Sequence, residues 1–126
     1  MKKILFLAFF TVLSSNVIGQ NIKTDKCIPQ EAPTDRNGEK NGLEISCYSD
    51  QSFNERKYIN GKRDGVHTYW YDSGQKKYLL TLSNGKFNGL VLFWEENGNE
   101  SGHCLFKKNK AIKCINLDPD EIIEDF

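Results

Sequence analysis

Few residues in this 126-residue chain have reactive chemistry to offer: four cysteines, two histidines and scattered carboxylates. Cys27, Cys47, Cys104 and Cys114 lack any C-x-x-C spacing, and His67 and His103 form no paired Cys/His set of the kind a zinc site requires. No G-x-S-x-G is present, and no Ser/His/Asp set can be phased. Glu95 and Glu96 are adjacent, so in a strand they point to opposite faces and cannot act as an acid/base pair. The glycine clusters lack the Lys-Ser/Thr ending and following helix of a phosphate loop. The expectation is a protein that is not an enzyme, with no catalytic residues, no metal and no cofactor.

Aromatic side chains are the remaining signal. Tyr48, Tyr69, Tyr71 and Phe93 share one parity in the strands proposed below and are interleaved with Lys and Arg in the connections. Exposed aromatics suit protein or glycan contact, which makes these four the candidate binding face. The plainer reading is that a thin sheet uses aromatics on both faces to cover its backbone.

The start of the chain sets the compartment. Lys2 and Lys3 precede an apolar run from Ile4 to Val12, and Val17-Ile18-Gly19 supplies small residues where a signal peptidase reads. We expect residues 1–19 to be a signal peptide cleaved near Gly19 and the mature protein to be secreted or periplasmic, without stable membrane insertion. Removing Lys2 and Lys3 leaves 15 basic against 17 acidic residues. That balance excludes a dedicated, strongly basic nucleic-acid binder. In an oxidising compartment four cysteines read as two disulfides, for which three pairings exist.

Three segments share one opening pattern: Asn37-Gly38-Glu39-Lys40-Asn41-Gly42-Leu43, Asn60-Gly61-Lys62-Arg63-Asp64-Gly65-Val66 and Asn84-Gly85-Lys86-Phe87-Asn88-Gly89-Leu90. Asn-Gly tolerates the positive φ angles of tight hairpin turns. Strand-like runs follow, Val66 to Tyr71 and Leu90 to Trp94, then a second turn signal at Asp72-Ser73-Gly74 and Asn97-Gly98. Ser49-Asp50-Gln51 holds that place more weakly. The units run 37–59, 60–83 and 84–107, with a partial fourth at 108–116. Residues 20–36, with Pro29 and Pro33, read as an N-terminal arm that caps the first unit. The fold class is therefore all-β, a single-layer elongated antiparallel meander of tandem β-hairpins.

Counting from Gly42, Gly65 and Gly89, the odd positions include Leu43, Ile45, Cys47, Val66, Thr68, Trp70, Leu90, Leu92 and Trp94. This set is the more uniformly apolar, so it is expected to form the buried ladder, with Trp70 and Trp94 stacked at equivalent places. A hairpin turning at Lys108-Asn109 sets Cys104 opposite Cys114, which leaves Cys27 to pin the arm to Cys47. The tail, 117–126, carries five acidic residues and no basic ones. It reads as a solvated terminus, or else as a docking segment anchored by Ile122, Ile123 and Phe126.

The run Asn-Gly-Lys-x-Asp/Asn-Gly-aliphatic, followed by Trp70-Tyr71-Asp72-Ser73-Gly74 or Trp94-Glu95-Glu96-Asn97-Gly98, resembles the bacterial MORN-repeat variant over residues 37 to 110. In the first unit Cys47 replaces the Trp. The resemblance implies a hairpin array used for binding or scaffolding and supplies no catalytic residues. Some members carry an antitoxin-like label. The expected function is thus a non-enzymatic exported module that binds a protein or envelope component. The alternatives are an antitoxin- or inhibitor-like partner of a toxin, and glycan binding.

Overall fold

In a computed structural model the structure describes residues 27–126. The signal peptide and its cleavage point lie outside the described residues. The chain forms β1 (Gly42–Cys47), β2 (Phe53–Ile59), β3 (Lys62–Arg63), β4 (Gly65–Trp70), β5 (Lys76–Ser83), β6 (Lys86–Trp94), β7 (Glu100–Lys107), β8 (Lys110–Ile115) and one short helix, α1 (Pro119–Asp125). The strands make one antiparallel sheet in the order β1-β2-β4-β5-β6-β7-β8, with β3 pairing β2. Every strand on the main path lies beside its sequence neighbour, so the sheet is a meander.

Turn chemistry explains the short connections. Asn60-Gly61 and Asn84-Gly85 both take positive φ at both residues (50° and 75°, 52° and 78°), as a type I′ turn requires. Lys108-Asn109 does the same at 49° and 66° without a glycine. Asn37-Gly38 departs from this. Only Gly38 is left-handed there, inside a five-residue loop closed by Asp35 N–H donating to Glu39 O at 2.9 Å. The same loop closure recurs between Tyr48 and Ser52, Tyr71 and Gln75, and Glu95 and Asn99. The weak signal at Ser49-Asp50-Gln51 thus builds the same turn, with Gln51 taking a left-handed φ of 68° where Gly74 and Gly98 take 84° and 89°.

A second series of bonds links successive turns. The side chains of Asn41, Asp64 and Asn88 accept from the backbone N–H of Asn60, Asn84 and Lys108, at 2.9, 3.0 and 3.3 Å. The next residue of each turn donates to Lys40, Arg63 and Phe87 carbonyls at 2.7 to 2.8 Å. The short polar residue between the two glycines of the pattern therefore secures the following turn.

Thr68 is buried as expected, but otherwise the buried ladder is the reverse of the one expected. Val91 is 0% exposed while its neighbour Leu90 is 49% exposed, and His67 is buried while Val66 is 51% exposed. The core is Leu80 and Leu82 of β5, Phe87 and Val91 of β6 and Cys104 and Phe106 of β7, closed by Ile122 of α1. It lies on the face of the even positions counted from Gly42, Gly65 and Gly89, called the even-numbered face below, and the other is the odd-numbered face. The tail is therefore docked and not solvated: Ile122 and Phe126 are its anchors, and Ile123 faces out. Leu117 and Phe126 flank the contact. Both apolar sets alternate correctly, and the burial of one over the other follows from where α1 lands. Asp118 caps the helix, its carboxylate accepting from Asp120 N–H at 2.9 Å, with Pro119 in the first turn where no N–H is needed.

Candidate functional site

All four cysteines are paired, Cys27 with Cys47 and Cys104 with Cys114. Cys104 and Cys114 face each other across β7 and β8 with Cα atoms 4.1 Å apart, the close approach of directly opposed residues. Cys27 ties the arm to the end of β1, beside the bridge from Gln30 to Ile45. No helix among the described residues is long and apolar enough to cross a membrane. Two disulfides fit an extracellular or periplasmic protein. Among the described residues no three His, Cys, Asp or Glu side chains converge as a metal site would need.

The even-numbered face has two halves. Under and beside α1 runs an aromatic row. Tyr48 and Tyr69 have ring centroids 5.7 Å apart, Tyr69 and Tyr78 are 5.1 Å apart, and Tyr78 and Phe93 are 5.6 Å apart. Three of the four expected face residues, Tyr48, Tyr69 and Phe93, are thus brought together. Tyr71 lies apart at the second turn, its hydroxyl donating to Trp94 O at 3.0 Å, while Lys77 Nζ sits 5.5 Å from both the Tyr69 and Tyr71 rings. Tyr78 and Phe126 complete the row, 4.7 Å apart and edge-on. The sequence reading left them out of the face: Tyr78 sits on a returning strand outside the parity count, and Phe126 on the tail. Burial pushes the Tyr78 phenol up to about 12.

The other half is polar. Glu44 accepts from Lys40 and lies 3.7 Å from Arg56, while Asn54 donates to Tyr48 Oη at 2.8 Å. His67, buried among them, has a clear local role. The sheet slips register at Asp64, between β3 and β4, which leaves the Lys57 N–H without a backbone partner on the β4 side. His67 Nε2 fills the gap, 3.2 Å from Lys57 N and 3.0 Å from its O, while Asp64 N–H donates to the same carbonyl at 2.9 Å. Desolvation lowers the His67 pKa. Its partners are backbone atoms, so it forms no nucleophile–base pair. His103 is on the opposite face beside Glu100, at 2.5 Å.

The odd-numbered face carries no helix, and apart from the buried Phe53 and Thr68 it is open. Val66, Leu90, Leu105 and Ile115 are exposed, and Leu43, Ile45, Leu79, Leu92, Trp70 and Trp94 are half-buried around them. Trp70 does not stack on Trp94, because β5 lies between their strands and presents Lys76 opposite Trp70. Trp70 instead stacks on Phe53, with centroids 4.7 Å apart and planes at 14°. Lys57, Lys76 and Lys113 share this face, as their pairing with Leu43, Trp70 and Leu105 requires. Glu55 stands opposite Thr68, and desolvation raises its pKa.

Gly42, Gly65 and Gly89 share positive φ angles of 128°, 82° and 120° at the entry to β1, β4 and the apolar part of β6. A Cβ at Gly89 would lie 2.9 Å from Thr81 Cγ2, at the bulge between Leu80 and Leu82. Comparison with protein-family models, curated proteins and solved structures returns no match.

Proposed function

We infer that this is an exported, non-enzymatic binding module that engages a protein partner through the odd-numbered sheet face. The observation that carries the reading is the asymmetry of the sheet. The chain covers one face with its own helix and leaves an apolar row of Val66, Leu90, Leu105 and Ile115 open on the other. Leu90 and Leu105 stand directly opposite each other across β6 and β7, and exposed apolar patches rimmed by polar residues mark interaction sites. Lys57, Lys76 and Lys113 around it favour a partner whose apolar patch is rimmed by acidic residues. The two disulfides and the Lys2-Lys3 leader both support secretion or a periplasmic location.

The repeat reading draws support from the turn-securing bonds of Asn41, Asp64 and Asn88, which recur at a spacing of 23 and 24 residues. A repeat array of the MORN-variant kind would use such a face for scaffolding.

The test is affinity capture from envelope extract with the disulfide-bonded protein and with a Leu90→Glu/Leu105→Glu variant. Both positions are about half exposed, so the fold tolerates the change. A partner held by the parent and reduced at least tenfold by the variant is the expected result. Equal capture by both proteins overturns the assignment of the face, and capture of no specific partner by either overturns the binding-module reading.

A further inference from the structure

We propose that the recess between α1 and the aromatic row is a binding site for a compact alkylammonium group carried on a small molecule. The recess has a volume of about 380 Å³, within the size range of small-ligand sites. Its wall is aromatic. The Tyr78, Phe93 and Phe126 rings have centroids 4.7 to 6.3 Å apart and interplanar angles of 42° to 68°. Rings set at such angles cannot close into a parallel stack, so they leave a concave corner. A cation seated in such a corner is attracted by the ring faces it meets, through their quadrupoles, and not by ring edges.

The opposite rim is acidic. Asp118, Glu121 and Asp125 line the recess from α1. Asp118 is engaged in capping the helix, whereas Glu121 and Asp125 enter no ion pair among the described residues. Among the described residues lining the recess the one cation is Lys77, drawn toward the Tyr69 and Tyr71 rings, while Arg63 is engaged with the Phe126 carbonyl. Aromatic wall and unneutralised carboxylates thus converge on one volume, and their common complement is positive charge with an apolar shell. A methylated or primary ammonium meets both demands. A carboxylate would face Glu121 and Asp125, and an uncharged alkyl group would leave both unanswered.

Three probes of nearly equal shape separate these cases: tetramethylammonium, tert-butanol and pivalate, carrying one positive, no and one negative charge. Each is titrated into the full disulfide-bonded protein at a matched ionic strength of about 0.15 M, which suppresses long-range attraction. Amide and aromatic NMR shifts are followed at Tyr78, Phe93 and Phe126. The expected order is tetramethylammonium tighter than tert-butanol by roughly two- to fivefold, with pivalate weakest. A Glu121→Gln/Asp125→Asn variant, altered only at exposed positions, should bring tetramethylammonium down to the level of tert-butanol while leaving Tm unchanged. Equal binding of the charged and neutral probes, preference for pivalate, or absence of shifts at the three rings overturns the proposal. So does tetramethylammonium affinity that survives the double substitution. The odd-numbered face takes no part in this measurement, so its outcome is independent of the partner-capture result.

Discussion

His67 shows how one side chain can be committed to structure. Its ring occupies a gap in the β2 ladder, where an N–H from Lys57 points at Nε2. Desolvation chiefly disfavours protonating the ring, and Arg63 and Arg56 add to it, against the Lys57 carbonyl 3.0 Å from Nε2, which favours the protonated form. The folded-state pKa is therefore lowered, while the unfolded chain titrates near 6.5. As pH falls below that value the unfolded state takes up the proton first, so stability falls. Urea midpoints at pH 7.5 and pH 5 should show this loss, and a His67→Gln variant should show a smaller difference between the two pH values. An unchanged difference would assign the pH dependence to other groups. Asp64 and Asn88 offer a second test at this scale. Each accepts one backbone N–H of the following turn, so Asp64→Ala and Asn88→Ala should each cost about 0.5–1.5 kcal/mol in chemical denaturation. The sites are separate, so the double variant should be close to additive.

At the scale of elements, the turns were legible and the buried face was not. Asn60-Gly61 and Asn84-Gly85 announce their geometry because few residues accept left-handed φ angles. The Cys104–Cys114 pairing followed from the position of one such turn. Asn37-Gly38 carries the same dipeptide yet forms a longer loop, because Thr34 bridges to Lys40 across it. The choice of face is a different kind of problem. Leu79 and Leu80, or Leu90 and Val91, are chemically alike, and period-two alternation marks both rows as strand-like. What decides between them is α1, which returns from the end of β8 to the far side of the sheet, and no local pattern reports its landing place. The aromatic row was half visible for the same reason: Tyr69 and Phe93 lie in the counted strands, whereas Phe126 comes from the tail. The helix should therefore matter beyond its seven residues. Ile122→Ala should destabilise the protein by about 2–4 kcal/mol. The same change should increase binding of an apolar dye as the Tyr78–Phe93 surface opens, and an unaltered urea midpoint would mean that α1 contributes nothing to the core.

At the scale of the whole molecule, the two faces differ in both cover and charge. The acidic helix lies over one and lysines fringe the other, so salt should weaken a partner held on the open face more than it weakens the fold. The disulfides mark the two ends of the sheet: Cys27–Cys47 at β1 and Cys104–Cys114 across β7 and β8. Replacing Cys104 and Cys114 by Ala should cost about 2–4 kcal/mol. Hydrogen exchange should then show β8 losing protection before β5 and β6. Early loss at β5 instead would place the weak point elsewhere. In linear arrays the end units, having one neighbour each, are the ordinary starting points of unravelling. Here the two margins differ: Cys104–Cys114 ties β8 to β7, whereas Cys27–Cys47 ties the arm to β1 and leaves β1 held to β2 by its ladder alone. The thinnest interior seam is β2 against β4, where the register slips and a histidine ring fills the gap. Exposed to protease, the oxidised protein should open at this seam, or lose β1, before β8 parts from β7.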